Sequence, residues 1–126
     1  MNKIYVKQIS KNHRGVFAKN KIKKGEIIEI CPVIIIPYKE KNLINKTFLF
    51  DYYFEWGSRN QPAIALGYGS LYNHSYQPNA EYDQNTKKKI ITFKAIKDIK
   101  PGEEIRTNYN GDHDSEEELW FTSKKM

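Results

Sequence analysis

Four short motifs hold most of the side chains in this 126-residue sequence that could bind a ligand or orient a reacting group. In chain order they are residues 14–18 (RGVFA), 67–79 (GYGSLYNHSYQPN), 102–105 (GEEI) and 107–109 (TNY). They offer a guanidinium, amides, an imidazole and phenols, which act through hydrogen bonds to polar ligands and reacting atoms. The Asn-His-Ser-x-x-Pro-Asn string within residues 67–79 is the most specific of the four signals.

Nucleophilic thiol chemistry and metal binding find little support in the same residues. Cys31 could in principle pair with a histidine in a thiol hydrolase or a metal site. It lies, however, in an isoleucine-rich run without ligand spacing, where a cysteine behaves as a small hydrophobic residue. The three histidines are His13, His74 and His113, and they share no motif. We therefore expect no metal ion and no cysteine nucleophile.

A phosphate-binding loop is also excluded for the glycines of residues 67–69. The segment Gly67-Tyr68-Gly69 lacks the third glycine and the long following helix that a dinucleotide-binding loop requires. The composition, with 39% hydrophobic and 29% charged residues, is that of a folding chain. We expect a single domain over residues 1–126, because this length does not support two independent cores.

Membrane insertion and secretion are not expected. The richest apolar stretch, residues 27–36, is interrupted by Glu29 and Pro32 and is about half the length needed to span a bilayer. The first residues show no secretion signal, and a single cysteine cannot form an internal disulfide. We expect an intracellular protein, located in the cytoplasm or, for a viral or pathogen protein, in a host nucleus.

The charge distribution leaves nucleic-acid binding open as an alternative. The net charge is +6, and residues 1–50 hold eleven Lys and Arg against three acidic residues. Only three of the 21 basic residues are arginines, the type that reads guanine and clamps phosphate with two hydrogen bonds. The lysine excess is also typical of an AT-rich genome. We therefore do not expect direct nucleic-acid binding.

The elements that must position these motifs are predicted to be mainly β-strands. Turn residues separate short runs rich in Ile, Val, Phe, Tyr and Thr. The predicted strands cover residues 4–9, 26–36, 47–56, 63–66, 80–83, 89–96 and 104–109. A turn is expected over residues 12–15, and one turn of helix is expected around residues 70–73, so the sequence indicates a mostly β fold with little helix.

Two segments share one pattern. In each, an apolar strand end leads to an isoleucine, a lysine and a Gly-Glu turn, followed by another apolar strand. The segments are residues 16–26 (VFAKNKIKKGE) and 93–103 (FKAIKDIKPGE). The pattern predicts a pair of related β-arches, with two ordinary β-turns as the alternative.

The four motifs, in this order and with these separations, resemble the SET-domain protein lysine methyltransferases, specifically the minimal stand-alone proteins of viruses and bacteria. The resemblance covers roughly residues 4–121. It implies a β-clip fold of several small curved sheets, in which the Asn-His segment and the segment ending at Tyr109 pass through one another in a knot-like arrangement. The core would span residues 4–110, and residues 111–126 would form an aromatic lid.

The resemblance implies transfer of a methyl group from S-adenosylmethionine to a lysine amine by in-line displacement, with S-adenosylhomocysteine as product and no metal. Free lysine has a pKa of roughly 10.4, so the site must favour the neutral amine. An apolar channel and the positive charge of the cofactor both lower that pKa. Most of the remaining rate gain would come from alignment of the reacting atoms.

Tyr109 matches the catalytic tyrosine of the family, which lies beside the point of methyl transfer. Tyr52 and Tyr82 are expected to line the substrate lysine channel, with the better case for Tyr82, although a tyrosine in an all-β domain is more often a core residue. Thr107 occupies the position that sets how many methyl groups fit in many relatives, and the hydroxyl of Tyr82 could take over that role. Asn108 replaces a common aspartate.

The resemblance also assigns a cofactor site. Asn73 and His74 match the segment that holds the adenosyl group, and Arg14 with Gly15 would lie against the methionine part. Trp120 would cover the adenine. The sequence departs from the family pattern in one place, because His13 stands where relatives have a glycine, which puts the approach of the cofactor in doubt.

The implied partner is a basic protein or peptide, with a histone tail, above all that of histone H3, as the favoured substrate. The acidic residues within 112–118 would attract such a tail. A homodimer is also expected to be possible. The alternative function is a SET-like module that binds lysine-containing peptides without turnover.

Overall fold

A computed structural model of the protein describes residues 3–110 and Glu116. The described chain is mostly β, as predicted, with three short 3-10 turns and one short helix. The elements are β1 (Ile4–Ser10), β2 (His13–Ala18), β3 (Ile27–Ile35), a 3-10 turn (Tyr38–Glu40), α1 (Lys41–Ile44), a 3-10 turn (Phe48–Asp51), β4 (Phe54–Trp56), β5 (Gln61–Ala65), a 3-10 turn (Gly69–Leu71), β6 (Asn73–His74), β7 (Ala80–Asn85), β8 (Ile90–Ala95) and β9 (Glu104–Thr107).

The first sheet has the strand order β1-β2-β9-β6. Its β1-β2 hairpin turns at Asn12, whose φ of 64° is tolerated by asparagine. The turn predicted over residues 12–15 is therefore shorter, and residues 13–15 belong to β2. Strands β6 and β9 pair in parallel, with Asn73 opposite Arg106. This contact brings the Asn-His segment against the C-terminal strand, as the predicted knot-like arrangement requires.

The second sheet has the order β4-β5-β3-β8-β7. The Gln84 side chain of the edge strand β7 bonds to the backbone at the other edge strand, β4. The Gln84 Nε2 donates to the carbonyl of Glu55 at 2.7 Å, and its Oε1 accepts from the N–H of Gly57 at 3.3 Å. The amide thus replaces a strand-to-strand pair, and it leaves these edge groups less exposed to pairing with another chain.

The two predicted arches pack against each other and form the centre of the core. The first arch is residues 16–26 and the second is residues 93–103. Ile22 and Ile99, both without solvent exposure, exchange two backbone hydrogen bonds of 3.0 and 2.8 Å. The other core side chains, all buried, are Val16, Ala18, Ile28, Cys31, Trp56, Ala63, Ala65, Tyr72, Ala80, Ile91, Phe93, Ala95 and Ile105.

Each arch closes the other through matched backbone hydrogen bonds. The N–H of Gly25 donates to Ala95 at 2.8 Å, and the N–H of Gly102 donates to Ala18 at 2.8 Å. Both glycines have positive φ, 87° and 85°, the left-handed conformation that glycine adopts without strain. The prediction of related arches is confirmed, because the two turns are equivalent in position and in bonding.

The strand predicted over residues 47–56 is wrong for most of its length. We define residues 38–51 as the helical segment, because two 3-10 turns and α1 occupy them and β4 begins only at Phe54. The Thr47 hydroxyl accepts from the N–H of Leu49 at 3.2 Å and caps the second turn. A short aromatic run is compatible with a strand or with a helical turn. Here the Thr47 cap favours the helical turn.

Several predictions lie outside the described residues. They are the aromatic lid over residues 111–126, including Trp120, and the acidic run of residues 112–118, of which only the exposed Glu116 is described. Within the described part of the chain, no helix is long and apolar enough to cross a membrane.

Candidate active site

Two cavities of opposite charge lie on either side of Tyr109. The acidic cavity, of about 560 Å³, has Asp51, Glu55 and Asp83 in its wall, and the described part of that wall contains no Lys or Arg. The basic cavity, of about 870 Å³, has Lys11 and Arg14 in its wall, and its described wall contains no Asp or Glu. The charges suit a cationic ligand in the first and an anionic group in the second.

The two cavities meet at Tyr52, Ser70 and Tyr109, the residues that line both. Tyr52 follows the helical segment, and Ser70 lies in the third 3-10 turn, where its hydroxyl donates to the carbonyl of Ala65 at 3.2 Å. Three separate parts of the chain therefore form one junction. The sequence predicted two of these residues, Tyr52 and Tyr109, and it missed Ser70, although Ser70 lies inside the 67–79 motif.

Tyr109 is held at this junction from both ends. Its backbone N–H donates to Nδ1 of His74 at 3.0 Å, and its hydroxyl donates to the carbonyl of Tyr72 at 2.5 Å. Burial raises the pKa of the Tyr109 phenol above its usual value, and the neighbouring Tyr52 raises it further. The phenol therefore stays neutral, with its proton directed to the carbonyl of Tyr72.

Tyr82 and Thr107, the other predicted channel residues, lie in the wall of the acidic cavity. The hydroxyl of Tyr82 donates to the carbonyl of Tyr109 at 3.1 Å, and burial raises the pKa of Tyr82 to about 12. Its ring packs edge-on against Phe54 at 5.0 Å. Thr107 is 2% exposed. The structure therefore brings the predicted channel residues together around one cavity, with the proton of Tyr82 engaged by the backbone.

Asn73 connects the basic cavity to β9. Its Nδ2 donates to the carbonyl of Arg14 at 2.9 Å and to the carboxylate of Glu104 at 2.7 Å. Gly15 lies outside both cavity walls. A Cβ at Gly15 would collide with the Glu104 carboxylate. Asn73 and Arg14 do line the basic cavity, so the packing of Glu104 is one reason why residue 15 is a glycine.

His74 lies behind Tyr109 and lines neither cavity. Its ring centroid is 5.3 Å from that of Tyr109, and burial lowers the pKa of His74, so the imidazole is neutral at pH 7. Because Nδ1 accepts a hydrogen bond, Nε2 carries the proton. The side chain therefore supports Tyr109, and the contact of His74 with a cofactor stays a prediction.

His13, the departure from the family pattern, lies in the wall of the basic cavity beside Arg14. Its Nε2 is buried, and so is Nε2 of His74, and neither atom has a hydrogen-bond partner among the described residues. A buried polar atom without a partner is costly. Of the two, only Nε2 of His13 lies at a cavity wall, so it is the polar group that a ligand in the basic cavity could satisfy.

Asn79 is a structural clamp that the sequence reasoning did not recognise as such. Its Nδ2 donates to the carbonyl of Glu104 at 2.8 Å, and its Oδ1 accepts from the N–H of Arg106 at 2.9 Å. Its own carbonyl accepts from Ile96 at 2.9 Å. The last residue of the Asn-His-Ser-x-x-Pro-Asn string thus ties β9 to the end of β8, and only a buried Asn or Gln could make both side-chain bonds.

Cys31 is buried in β3, where burial and the nearby Glu29 raise its pKa well above the usual value for a thiol. A thiol that stays protonated is a poor nucleophile. The described residues contain no group of three or more His, Cys, Asp or Glu side chains that could hold a metal ion.

Comparison with known proteins identifies the class of protein that this fold and site define. The SET domain family matches residues 13–110, which is more than half of the chain. The chain belongs to the SET-domain family.

Individual relatives agree with this assignment. A Schizosaccharomyces pombe protein named histone-lysine N-methyltransferase, H3 lysine-37 specific, is 32% identical over 117 residues, covering 92% of this chain and 75% of that protein. The crystal structure of a candidate histone methyltransferase from Plasmodium falciparum superposes with a TM-score of 0.68 at 36% identity, covering 87% of this chain and 99% of that one.

A more distant neighbour shows the fold alone. The Chaetomium thermophilum Polycomb repressive complex 2, solved in an autoinhibited conformation bound to S-adenosylmethionine, has a TM-score of 0.69 at 23% identity. The match covers 84% of this chain and 15% of that chain. The small curved sheets of the present protein are thus a SET fold with few additions.

Proposed function

We propose that this protein is a protein-lysine N-methyltransferase, which transfers a methyl group from S-adenosylmethionine to a lysine side chain of a basic protein. The observation that carries the proposal is the meeting of two oppositely charged cavities at the phenol of Tyr109. Membership of the SET family supports the same reaction class. A ligand in each cavity could approach the phenol from its own side.

The basic cavity is the proposed cofactor site. When bound, S-adenosylmethionine supplies an activated methyl group and carries a carboxylate that Arg14 or Lys11 can bind by a charge-assisted hydrogen bond. The buried, unpartnered Nε2 of His13 adds a polar group to the same wall. The residues present fit the cofactor, and the roles predicted for Gly15, His74 and Trp120 remain predictions.

The acidic cavity is the proposed lysine channel. The aromatic part of its wall, formed by Tyr52, Phe54 and Tyr82, would desolvate the reacting amine, and desolvation lowers the pKa of a lysine. Asp51 and Asp83 attract the positive charge of a basic tail toward the cavity, whereas the Glu55 carboxylate already forms an ion pair with Lys41 at 3.4 Å.

Tyr109 would orient the incoming amine at the junction. The phenol donates its proton to the Tyr72 carbonyl, and a phenol oxygen held in this way is the kind of group that can accept a hydrogen bond from an incoming amine. The amine lone pair is then free to point along the line of methyl transfer. Alignment of this kind is the main contribution that we assign to the chain's own residues.

A histone tail is the first substrate to test. The Schizosaccharomyces pombe relative is named for lysine 37 of histone H3, and a histone tail has the positive charge that the acidic cavity favours. A histone substrate would place the protein in a nucleus or in the cytoplasm.

The test is transfer of a radiolabelled methyl group from S-adenosylmethionine to a histone mixture and to cell extract. The wild type should label a basic protein, and Tyr109→Phe should lower kcat by about 100-fold or more, as loss of one aligned polar contact does at other active sites. Tyr38→Phe, an exposed residue outside both cavity walls, is the matched control. Peptide binding without methyl transfer by the wild type would instead support the binding-module alternative.

A further inference from the structure

Glu29 is an acidic residue on the isoleucine-rich strand β3, and the proposed reaction gives it no role. Its carboxylate nevertheless accepts two hydrogen bonds from one distant turn. The hydroxyl of Tyr72 donates to Oε1 at 2.7 Å, and the backbone N–H of Tyr68 donates to Oε2 at 3.0 Å. One carboxylate therefore ties both ends of the turn over residues 68–72, and such charge-assisted bonds are roughly twice as strong as neutral ones.

The turn is shaped to receive this carboxylate. Gly67 has a φ of 66°, and a Cβ at that position would collide with the carboxylate of Glu29. The Tyr72 ring is 2% exposed and stacks on Phe93 with centroids 4.2 Å apart. Burial raises the pKa of Tyr72 well above its usual value, so its hydroxyl remains a donor to Glu29. The turn is thus fixed by two bonds and one stacked ring.

The same turn carries two groups of the junction between the cavities. Ser70 lines both cavities, and the backbone carbonyl of Tyr72 accepts the hydroxyl of Tyr109 at 2.5 Å. Tyr72 therefore connects Glu29 to the phenol, because its hydroxyl donates to Glu29 and its backbone carbonyl accepts from Tyr109. Displacing a reacting group by about 1 Å can lower the rate by about 100-fold, so the placement of this turn matters for the reaction.

We propose that Glu29 is a positioning residue, which fixes the Tyr109 phenol at the junction by holding Tyr72 and the 68–72 turn. The kinetic test of this inference rests on the proposed function. Glu29 lines neither cavity, so it acts through Tyr72 and not on either ligand directly.

The kinetic test compares Glu29→Ala, Glu29→Gln and Tyr72→Phe. Glu29→Ala should lower kcat by about 30-fold, and Tyr72→Phe by about 10-fold, with the KM values for cofactor and peptide within about 3-fold of wild type. Glu29→Gln keeps an oxygen acceptor and should recover part of the lost kcat. Tyr5→Phe, which also removes the hydroxyl of a tyrosine stacked on a phenylalanine, is the matched control and should not change kcat.

A double-mutant cycle separates positioning from a general loss of structure. If Glu29 acts through the phenol, then Glu29→Ala should have almost no further effect on kcat in the Tyr109→Phe background. Equal losses in both backgrounds would contradict the proposal, and so would a change confined to KM.

A spectroscopic readout keeps the inference separate from the enzyme activity. In protein labelled with carbon-13 at the tyrosine Cζ, Glu29→Gln and Tyr72→Phe should shift the Tyr109 resonance, whereas Tyr5→Phe should leave it in place. An unmoved Tyr109 resonance contradicts the positioning role. If the wild type transfers no methyl group but both variants still shift the Tyr109 resonance, the result contradicts the proposed function and supports the positioning role.

Discussion

The paired arches and the helical segment differ in almost every physical respect, although both are needed to form the site. The arches are closed by reciprocal backbone hydrogen bonds around Ile22 and Ile99, which have no solvent exposure. The helical segment has no buried residue in its three short elements, and Leu43 and Phe48 are 66% and 81% exposed. Yet Phe48 and Asp51 of that segment line the cavities, and the arch turns line neither.

This difference indicates that the arches contribute mainly to stability and the helical segment mainly to ligand recognition. The arches bury a core and orient β9, which leads to Tyr109, while the helical segment contributes wall residues without contributing to the core. We therefore expect substitutions in the arches to lower the free energy of unfolding, and substitutions in the helical segment to change ligand binding at constant stability. The following variants test that division.

The largest effect is expected for Ile22→Ala in the first arch. Removing a fully buried isoleucine side chain leaves a cavity and lowers the free energy of unfolding by about 2–5 kcal/mol. Ile99→Ala should cost a similar amount. Urea denaturation measures both, and the double variant should lose less than the sum, because the two residues contact each other. A loss below about 1 kcal/mol would contradict the central role of the arches.

A smaller and more discriminating effect is expected for Gly25→Ala and Gly102→Ala. A Cβ meets no atom within 4 Å at either glycine, so the only cost is the positive φ, which is about 1–2 kcal/mol for an L-residue. Because the two turns are equivalent, the two losses should agree within about 0.5 kcal/mol in urea denaturation. Clearly unequal losses would show that the likeness of the arches does not extend to their energetics.

Phe48→Ala tests the helical segment. The exposed ring lines the basic cavity, so its removal should weaken the binding of S-adenosylmethionine by about 3- to 10-fold in calorimetry. The free energy of unfolding should stay within about 0.5 kcal/mol. Leu43→Ala, exposed and outside both walls, is the matched control and should change neither quantity. A large loss of stability in Phe48→Ala would remove the distinction between the two regions.

The smallest expected effect is a pH dependence of the free energy of unfolding that arises at His74, the residue whose side chain supports Tyr109. Burial lowers the pKa of His74 below its ordinary value of 6.5, so the unfolded chain binds a proton more readily than the folded one. Stability is therefore complete above pH 6.5 and declines as the pH falls from there through the folded-state pKa.

His74→Gln isolates that contribution. Glutamine keeps an oxygen that can accept from the N–H of Tyr109 but does not titrate. Urea denaturation at pH 7 and pH 5 should show a smaller decline for His74→Gln than for the wild type. An equal decline in both would assign the acid sensitivity to other groups.

The sequence predicted the arches and the long strands better than the helical segment that forms part of the cavity walls. The arches were visible because a turn with positive φ leaves a local signature, a glycine followed by a glutamate that bonds back to the turn. In the structure the backbone N–H of Lys23 donates to the Glu26 carboxylate and that of Lys100 donates to the Glu103 carboxylate, both at 2.9 Å. Strands β3 and β8 were predicted within one residue at each end, because apolar runs bounded by turns are a strong signal.

The helical segment and the Glu29 contacts were not predictable in the same way. Residues 47–56 combine aromatic residues with no clear period, so the cap at Thr47 and the absence of burial could not be inferred from their types. The partners of Glu29 lie 39 and 43 residues away along the chain. Contacts at that distance depend on the whole fold, and one sequence shows only that an acid interrupts an isoleucine run.

The reciprocal closure of the arches also constrains how the protein is made. Residues 16–26 leave the ribosome early, but the carbonyl and N–H groups that complete their turn belong to residues 93–103. A nascent chain must therefore hold an unfinished first arch open until nearly the whole domain has been synthesised, and pairing across such a separation is slow. A chain cut short before Ile99 would leave Ile22 without its hydrogen-bonding partner and would expose an unfinished core to proteolysis.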